Sequence, residues 1–325
     1  MLWGIVSLRD YADVPRIGRR NRLGTRQREA LWPIFEAVRA ALLARGLVTI
    51  SQMFAGVERK YSGKAEKPFT HIIVDEAQDL GVAQLRMIAA LAAGPNAMFF
   101  AGDLGQRIFQ HPFSWKALGV DVRGRSAMLR INYRTSRQIR EAADHLLPPT
   151  VRDADGLEDD RRGAQSLFEG PSPAIVLCPD QAAESEAVAE FLRSASKDGI
   201  AASEMGIFVR STGFLSRARA AVTAAGLEAR QLTERAEVFG DCVSIGTMHL
   251  AKGLEFKAVA VMACDDEALP LQSRVDDATD EDELREVFET ERHLFYVACT
   301  RARDRLHLSG VLPVSDFIAD IALRD

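Results

Sequence analysis

Apolar positions recur along this chain with two periods, and the switching between them lays out its elements. Leu31, Ile34, Phe35, Val38, Leu42 and Leu43 repeat at helical spacing, and Gly46 stands where a C-terminal cap would close the run. His71 to Val74 is a short β-branched run that stops on Asp75-Glu76, the pattern of a parallel strand buried on both faces. Val82 to Ala93 reads as a helix ended by Gly94-Pro95, Ala97 to Ala101 as a second buried strand, and Ser126 to Ile131 as a third. Thr135 with Gln138 has capping-box spacing for a helix running to His145. Pro148 to Pro173, rich in Pro, Gly, Asp and Arg without a period, marks a linker. Beyond it, Ala174 to Cys178, Gly206 to Val209, Val243 to Gly246, Ala258 to Ala263 and Leu306 to Leu308 are strand candidates. Between them lie helices: Val188, Phe191 and Leu192 share a face ended by Gly199, Phe214 to Ala225 ends at Gly226, and Leu284, Val287, Phe288, Leu294 and Phe295 stripe a long one. That alternation predicts an α/β fold, a parallel sheet covered by helices on both sides. The expected division is a helical segment over 1–67, a partial first domain over 68–147, a linker over 148–173 and a complete second domain over 174–325.

Composition narrows the classes. The 325 residues are 47% hydrophobic and 27% charged, ordinary for a globular chain with room for two domains. No apolar run reaches membrane-spanning length and no signal-peptide layout opens the chain, so the expectation is a cytoplasmic protein without a membrane partner. Cys178, Cys242, Cys264 and Cys299 lie far apart, which argues against zinc sites and disulfides and for packing as small apolar side chains. A formal charge of −5 excludes a uniformly basic coat but not a local stripe that grips phosphates. One such cluster is Arg16, Arg19, Arg20, Arg22, Arg26 and Arg28, which is either a solvated charged face or a hold on DNA phosphates. The acidic run Asp276 to Glu283 reads as a solvated loop.

The candidate chemistry centres on Asp75. Open α/β sheets bind ligands at the carboxyl ends of their strands, and an Asp there can hold the Mg²⁺ of a nucleoside triphosphate through coordinated waters. Glu76 beside it can orient or deprotonate an attacking water. The string Asp75-Glu-Ala-Gln-Asp-Leu80 resembles motif II of the UvrD/Rep family of superfamily 1 DNA helicases. Four further stretches agree, in the family's order. Gly102-Asp-Leu-Gly-Gln-Arg-Ile-Phe109 is similar to motif III, Leu129-Arg-Ile-Asn-Tyr-Arg-Thr135 to motif IV, Thr247-Met-His-Leu-Ala-Lys-Gly-Leu-Glu-Phe256 to motif V and Tyr296-Val-Ala-Cys-Thr-Arg-Ala-Arg303 to motif VI.

The resemblance implies two RecA-like domains, the first incomplete, that use ATP and Mg²⁺ to move 3′ to 5′ along single-stranded DNA. Carried over position by position, Asp75 would hold the metal, Gln106 would sense the terminal phosphate, and Arg134 and Arg301 would stabilise transferring charge. Tyr133 would stack on adenine, Lys252 and Gly253 would meet phosphates, and Glu255 the ribose hydroxyls. Phe109, His111, Thr247 and His249 would face DNA, although His111-Pro112 departs from the family's usual aromatic and arginine. The large helical insertion that the family places between motifs IV and V is expected to be missing or vestigial, reduced to Leu232 to Asp241.

No Gly-x-x-x-x-Gly-Lys-[Ser/Thr] loop stands in the sequence; Gly56 to Lys64 has the wrong spacing. The chain is therefore expected to be a C-terminal portion of a helicase that hydrolyses ATP negligibly alone, either a fragment of a longer chain or the partner of a separate N-terminal portion carrying the Walker A loop. The alternative is a non-catalytic RecA-like module that binds DNA or protein.

Overall fold

The computed structural model describes residues 5, 7–13, 24–103, 106, 113–152, 155, 158–160, 163–233 and 240–322. The chain forms two compact units, one of Met1–Ala127 with Arg152–Asp159 and one of Met128–Val151 with Asp160–Asp325.

The first unit opens with α1 (Leu8–Asp13) and α2 (Thr25–Ala44). Gly46 takes φ 66°, with its N–H donating to Leu43 O and that of Leu47 to Leu42 O, each at 2.9 Å, so it caps α2 as its position predicts. The apolar stripe of α2 is not core, however. Trp32 is its one buried residue, while Ile34, Val38 and Leu43 are exposed. α3 (Ile50–Tyr61) starts from a capping box, Gln52 N donating to Thr49 Oγ1 at 3.2 Å and Thr49 N to Gln52 Oε1 at 2.7 Å, and packs on α4 (Val82–Leu91). β1 (Ile72–Val74) and β2 (Met98–Phe100) pair in parallel with Ile73 beside Phe99. The expectation of strands buried on both faces fails here: Ile73 is 78% and Phe99 64% exposed. A parallel strand is covered on both sides only where a second layer lies over it, and among the described residues none lies over these two side chains.

The second unit begins with β3 (Ile131–Asn132) and α5 (Arg137–Asp144). β4 (Thr150–Arg152) and β5 (Glu158–Asp160) fall where the chain passes from one unit to the other, and β6 (Gln165–Ser166) pairs in parallel with β3. Three expectations are corrected. Ser126–Ile131 is not a strand, since only Ile131–Asn132 pairs and Leu129 is 92% exposed. Thr135 does not cap α5. Asn132 Oδ1 accepts from the N–H groups of Arg134 (2.8 Å) and Thr135 (3.1 Å), and Gln138 Oε1 accepts from Gly170 N at 2.8 Å. Finally, 128–147 belongs to the second unit rather than the first, tied there by Ser136 N to Arg303 O and Arg137 N to Phe168 O, both 3.0 Å. The same bonds give the end of the expected linker a fixed place.

The rest is a six-stranded, wholly parallel sheet in the order β7 (Ala174–Cys178), β12 (Ala302–Val311), β11 (Phe256–Val261), β8 (Met205–Val209), β10 (Val243–Thr247), β9 (Ala229–Gln231). Side chains alternate across it. Ile207, Val209, Ile245, Ala258 and Ala260 join a core with α6 (Gln181–Lys197) and α7 (Leu215–Ala224), while α9 (Glu281–Cys299) packs against β11 and β12. α8 (Gln272–Asp276) precedes α9 and α10 (Asp316–Ala322) follows the sheet. The two-sided cover expected from the alternation is present here. The run Asp276 to Glu283 is not a loop throughout: Asp280 accepts from Asp282 N (3.0 Å) and Glu283 N (2.8 Å), so the acidic residues start α9, where the helix dipole favours them. Cys178, Cys264 and Cys299 are buried and Cys242 partly so; burial pushes the Cys264 and Cys299 thiols up, leaving them unreactive. Residues 234–239, most of the expected remnant of the insertion, lie outside the described residues.

Candidate functional site

In the first unit, β1 delivers Asp75 and Glu76 to its carboxyl end, both exposed. Glu76 N donates to Asp75 Oδ1 at 2.9 Å, and Glu76 itself sits at φ 51°, a left-handed conformation that costs a non-glycine residue about 1 kcal/mol or more. Gln78, buried, holds that turn from beneath. Its Nε2 donates to Glu76 Oε2, and its Oε1 accepts from Asp103 N at 3.0 Å. Asp103 in turn accepts from Gln106 Nε2 at 2.9 Å. Asp75, Glu76 and Gln106 therefore share one connected group. Gly102 is required within it, because a Cβ there would collide with Gln78 Oε1. Gln78 was missed by the sequence reading, although a glutamine inside an acidic turn after a strand is a cue. Phe109 and His111 lie outside the described residues, as do Arg16, Arg19, Arg20 and Arg22. Arg28, from the same basic cluster, donates to Ala12 O at 3.0 Å at the end of α1, so part of that cluster serves the fold.

A second group forms at the amino edge of the large sheet, from two distant segments. Arg134 Nε meets Glu255 Oε2 at 2.7 Å, and both side chains are about two-fifths exposed, at 43% and 42%. Such a pair is worth under about 1 kcal/mol, so a phosphate could take over the guanidinium at little cost. Tyr133 beside it is 70% exposed, an open face for stacking. Leu254 N donates to Ala251 O at 3.1 Å, with Lys252 at φ −59°, ψ 136° and Gly253 at φ 78°: a type II turn, which needs glycine at its third position. Gly253 is exposed and Lys252 half-buried, so the turn's backbone is accessible.

Arg301 lies inside the fold. It is 1% exposed, with Nε donating to Val297 O at 3.0 Å and Nη1 to Leu254 O at 3.3 Å. Held between a carbonyl near the end of α9 and one in the turn, the guanidinium anchors the 251–256 turn, because the last carbonyls of a helix lack intrahelical partners and attract cations. Phe256 N reaches Arg301 O at 3.0 Å and completes the tie.

Thr247 and His249 stand apart from that group. Thr247 ends β10 whereas Phe256 begins β11, and in a parallel sheet those are opposite edges. His249 is half-buried, and burial, followed by the nearby Arg210 charge, holds its pKa below the ordinary value. Neutral imidazole at pH 7 offers a hydrogen bond to a phosphate, not a charge.

Can these residues receive magnesium and a nucleotide? Among the described residues no cluster of three metal-ligating side chains exists. Mg²⁺ in phosphate chemistry keeps most of its waters and takes one or two carboxylates, which a single exposed Asp75 at a strand end satisfies. Tyr133, Arg134 and the Gly253 turn supply a stacking surface, a cation and approachable amides, so the residues fit both.

Residues 39–114 match the UvrD/REP helicase N-terminal domain and residues 218–312 the UvrD-like helicase C-terminal domain. The ATP-dependent DNA helicase UvrD1 of Mycobacterium leprae is 44% identical over 75 residues, 23% of this chain and 9% of that protein. A probable DNA helicase of Mycoplasma pneumoniae is 26% identical over 255 residues, 74% of this chain and 43% of that protein. The chain thus spans less than half the length of these relatives. A solved C-terminal domain of a possible DNA helicase from a Lactobacillus shares 23% identity over 58% of this chain and 94% of that one, at a TM-score of 0.41. Matched in each of its two units by a UvrD-like helicase domain, the chain belongs to the UvrD/Rep-like helicases.

Proposed function

We propose that this chain is a portion of an ATP-dependent 3′ to 5′ DNA helicase and contributes the phosphate-sensing and DNA-contacting parts of the motor. The observation that carries the reading is the meeting of Arg134 with Glu255, which stands on the Gly253 turn, at one sheet edge from two segments 121 residues apart in sequence. A retired site has no physical need to keep a cation from one segment beside a carboxylate and an approachable turn from another.

In this reading Asp75 holds Mg²⁺, which when bound neutralises phosphate charge. Glu76, aimed by Gln78, orients the attacking water and draws its proton. Gln106 follows the terminal phosphate, and because it is tied through Asp103 to Gln78, its movement reaches Glu76. Arg134 exchanges Glu255 for phosphate oxygens, a charge-assisted contact that strengthens as charge develops on transfer. Arg301 keeps the 251–256 turn in place, Lys252 adds positive charge there, and Tyr133 stacks on the base. Thr247 and His249 take the DNA backbone on the opposite edge.

The bare face of β1 and β2 favours a partner-dependent form of this function, in which a separate polypeptide covers Ile73 and Phe99 and brings the phosphate loop. The test is the purified chain itself. We expect it to bind single-stranded DNA and to hydrolyse ATP well below about 1 per second, the lower end of ordinary turnover. DNA-stimulated turnover at ordinary rates would refute the need for a partner, and failure to bind single-stranded DNA would sink the DNA reading.

A further inference from the structure

An ion cluster buried in the second unit has no role in the chemistry above. Glu291, on the face of α9 that carries its apolar stripe, is fully buried, and Arg210, the residue after β8, is 4% exposed. Arg210 grips Glu291 with two donors, Nε to Oε2 and Nη2 to Oε1, the latter at 2.6 Å, and Arg274 Nη1 adds a bond to Oε1 at 3.0 Å. A buried pair of this kind stabilises little over an apolar pair of the same shape, so its presence calls for another reason.

The register supplies one. Val209 pairs with Thr247, which sets Arg210 beside the single turn Met248–Ala251 that follows β10. α9, carrying Glu291, packs directly on that turn, and so does β8. The cluster thus clasps the two elements that flank the turn, and its charges are felt at His249. A bidentate guanidinium–carboxylate pair fixes direction as well as distance, which an apolar contact does not. We infer that the Arg210–Glu291 pair, steadied by Arg274, is a positioning device that sets the 247–251 turn for contact with the DNA backbone. Neither residue touches DNA. The inference rests on the DNA reading of that turn.

The experiment replaces the pair by apolar side chains, Arg210→Met with Glu291→Leu, in the whole chain, beside the milder Arg210→Lys, which keeps the charge and loses the fork. Thermal unfolding, fluorescence-monitored binding of a single-stranded oligonucleotide over a salt series, and amide hydrogen exchange of 248–254 are measured on each. The expected result is an unchanged unfolding midpoint, faster exchange in 248–254, about a tenfold loss of affinity and a flatter salt slope in the double variant, with a smaller loss in Arg210→Lys. A folded double variant with wild-type exchange in 248–254 and wild-type affinity overturns the inference. Should the double variant fail to fold, Arg210→Lys decides by the same two readouts. If the wild-type chain binds no DNA, the functional reading falls, while the exchange data still decide whether the pair sets the turn.

Discussion

Gln78 illustrates how much rests on one amide. Its two ends are distinguishable because Asp103 N can only donate, so Oε1 must face it and the amide N–H groups must face the Glu76 carboxylate. Gln78→Leu keeps the volume but leaves the part-buried Asp103 N–H without its acceptor. The expected cost is about 1–3 kcal/mol of stability, read from urea unfolding, with the first unit losing hydrogen-exchange protection around Asp103. Unaltered exchange there would mean that the bridge is not formed in solution. The motif string made Asp75 and Glu76 legible in the sequence. It did not assign Gln78 a role, because a buried glutamine is recognised by the groups that converge on it, and the Asp103 N–H comes from a loop 25 residues away. Arg301 shows the reverse: its position was legible and its surroundings were not, since the carbonyls of Val297 and Leu254 reach it only after α9 and the 251–254 turn have packed.

Among the elements, helices with complete end signals were read closely and strands at the chain's uncovered places were not. Gly46, Gly199 and Gly226 all adopt positive φ just past a helix, as their places in the pattern imply. β1 and β2 kept their direction and pairing yet lost their expected burial. Parallel strands carry apolar residues on both faces whether or not a covering layer is present, so the pattern reports what the sheet needs and not what it has. Ile73 and Phe99 then form an exposed apolar pair, with Phe69 also exposed. Replacing them, Ile73→Lys with Phe99→Ser, is expected to lower self-association in analytical ultracentrifugation with little change in thermal midpoint, since the side chains are already in water. A clear fall in stability would show that this face is covered within the chain. Glu184 and Glu291 were also hidden in plain view: each occupies an apolar-stripe position of its helix, one turn from Val188 and Val287 respectively, and a charge at such a position signals a buried ion partner, Arg217 and Arg210 here.

At the level of the whole molecule, the second unit's large core should impose a pH dependence on stability. His307 is buried in β12 against Phe191, with ring centroids 5.1 Å apart, and its Nε2 meets no hydrogen-bond partner among the described residues. Burial lowers its pKa from the ordinary 6.5 to about 4. A histidine depressed in the folded state gives stability that is complete above pH 6.5 and is lost as pH falls toward 4, up to about 3 kcal/mol for such a shift. Urea midpoints measured from pH 7 to pH 4 should therefore converge between wild type and a His307→Phe variant at the neutral end and separate at the acidic end, the variant holding up better. A constant difference across that range would rule out His307 as the group responsible. His249, shifted in the same direction, adds to the same slope. No helix among the described residues is long and apolar enough to cross a membrane.

What the sequence determined by itself were local and short-range matters: the α/β alternation, the helix ends marked by Gly46, Gly199 and Gly226, and the family motifs in which Asp75, Glu76, Gln106, Arg134 and Glu255 stand, because each is written in a few consecutive residues. Only the tertiary structure decided that motif IV packs with the second unit, that Arg134 pairs with Glu255, that Arg301 is an anchor, and that Arg210 and Glu291 clasp the turn at 247–251. Those depend on partners far along the chain, 47 residues for Arg301 with Leu254 and 121 for Arg134 with Glu255, and a buried charge or an uncovered face is a property of what surrounds a residue, which no stretch of neighbours along the chain contains.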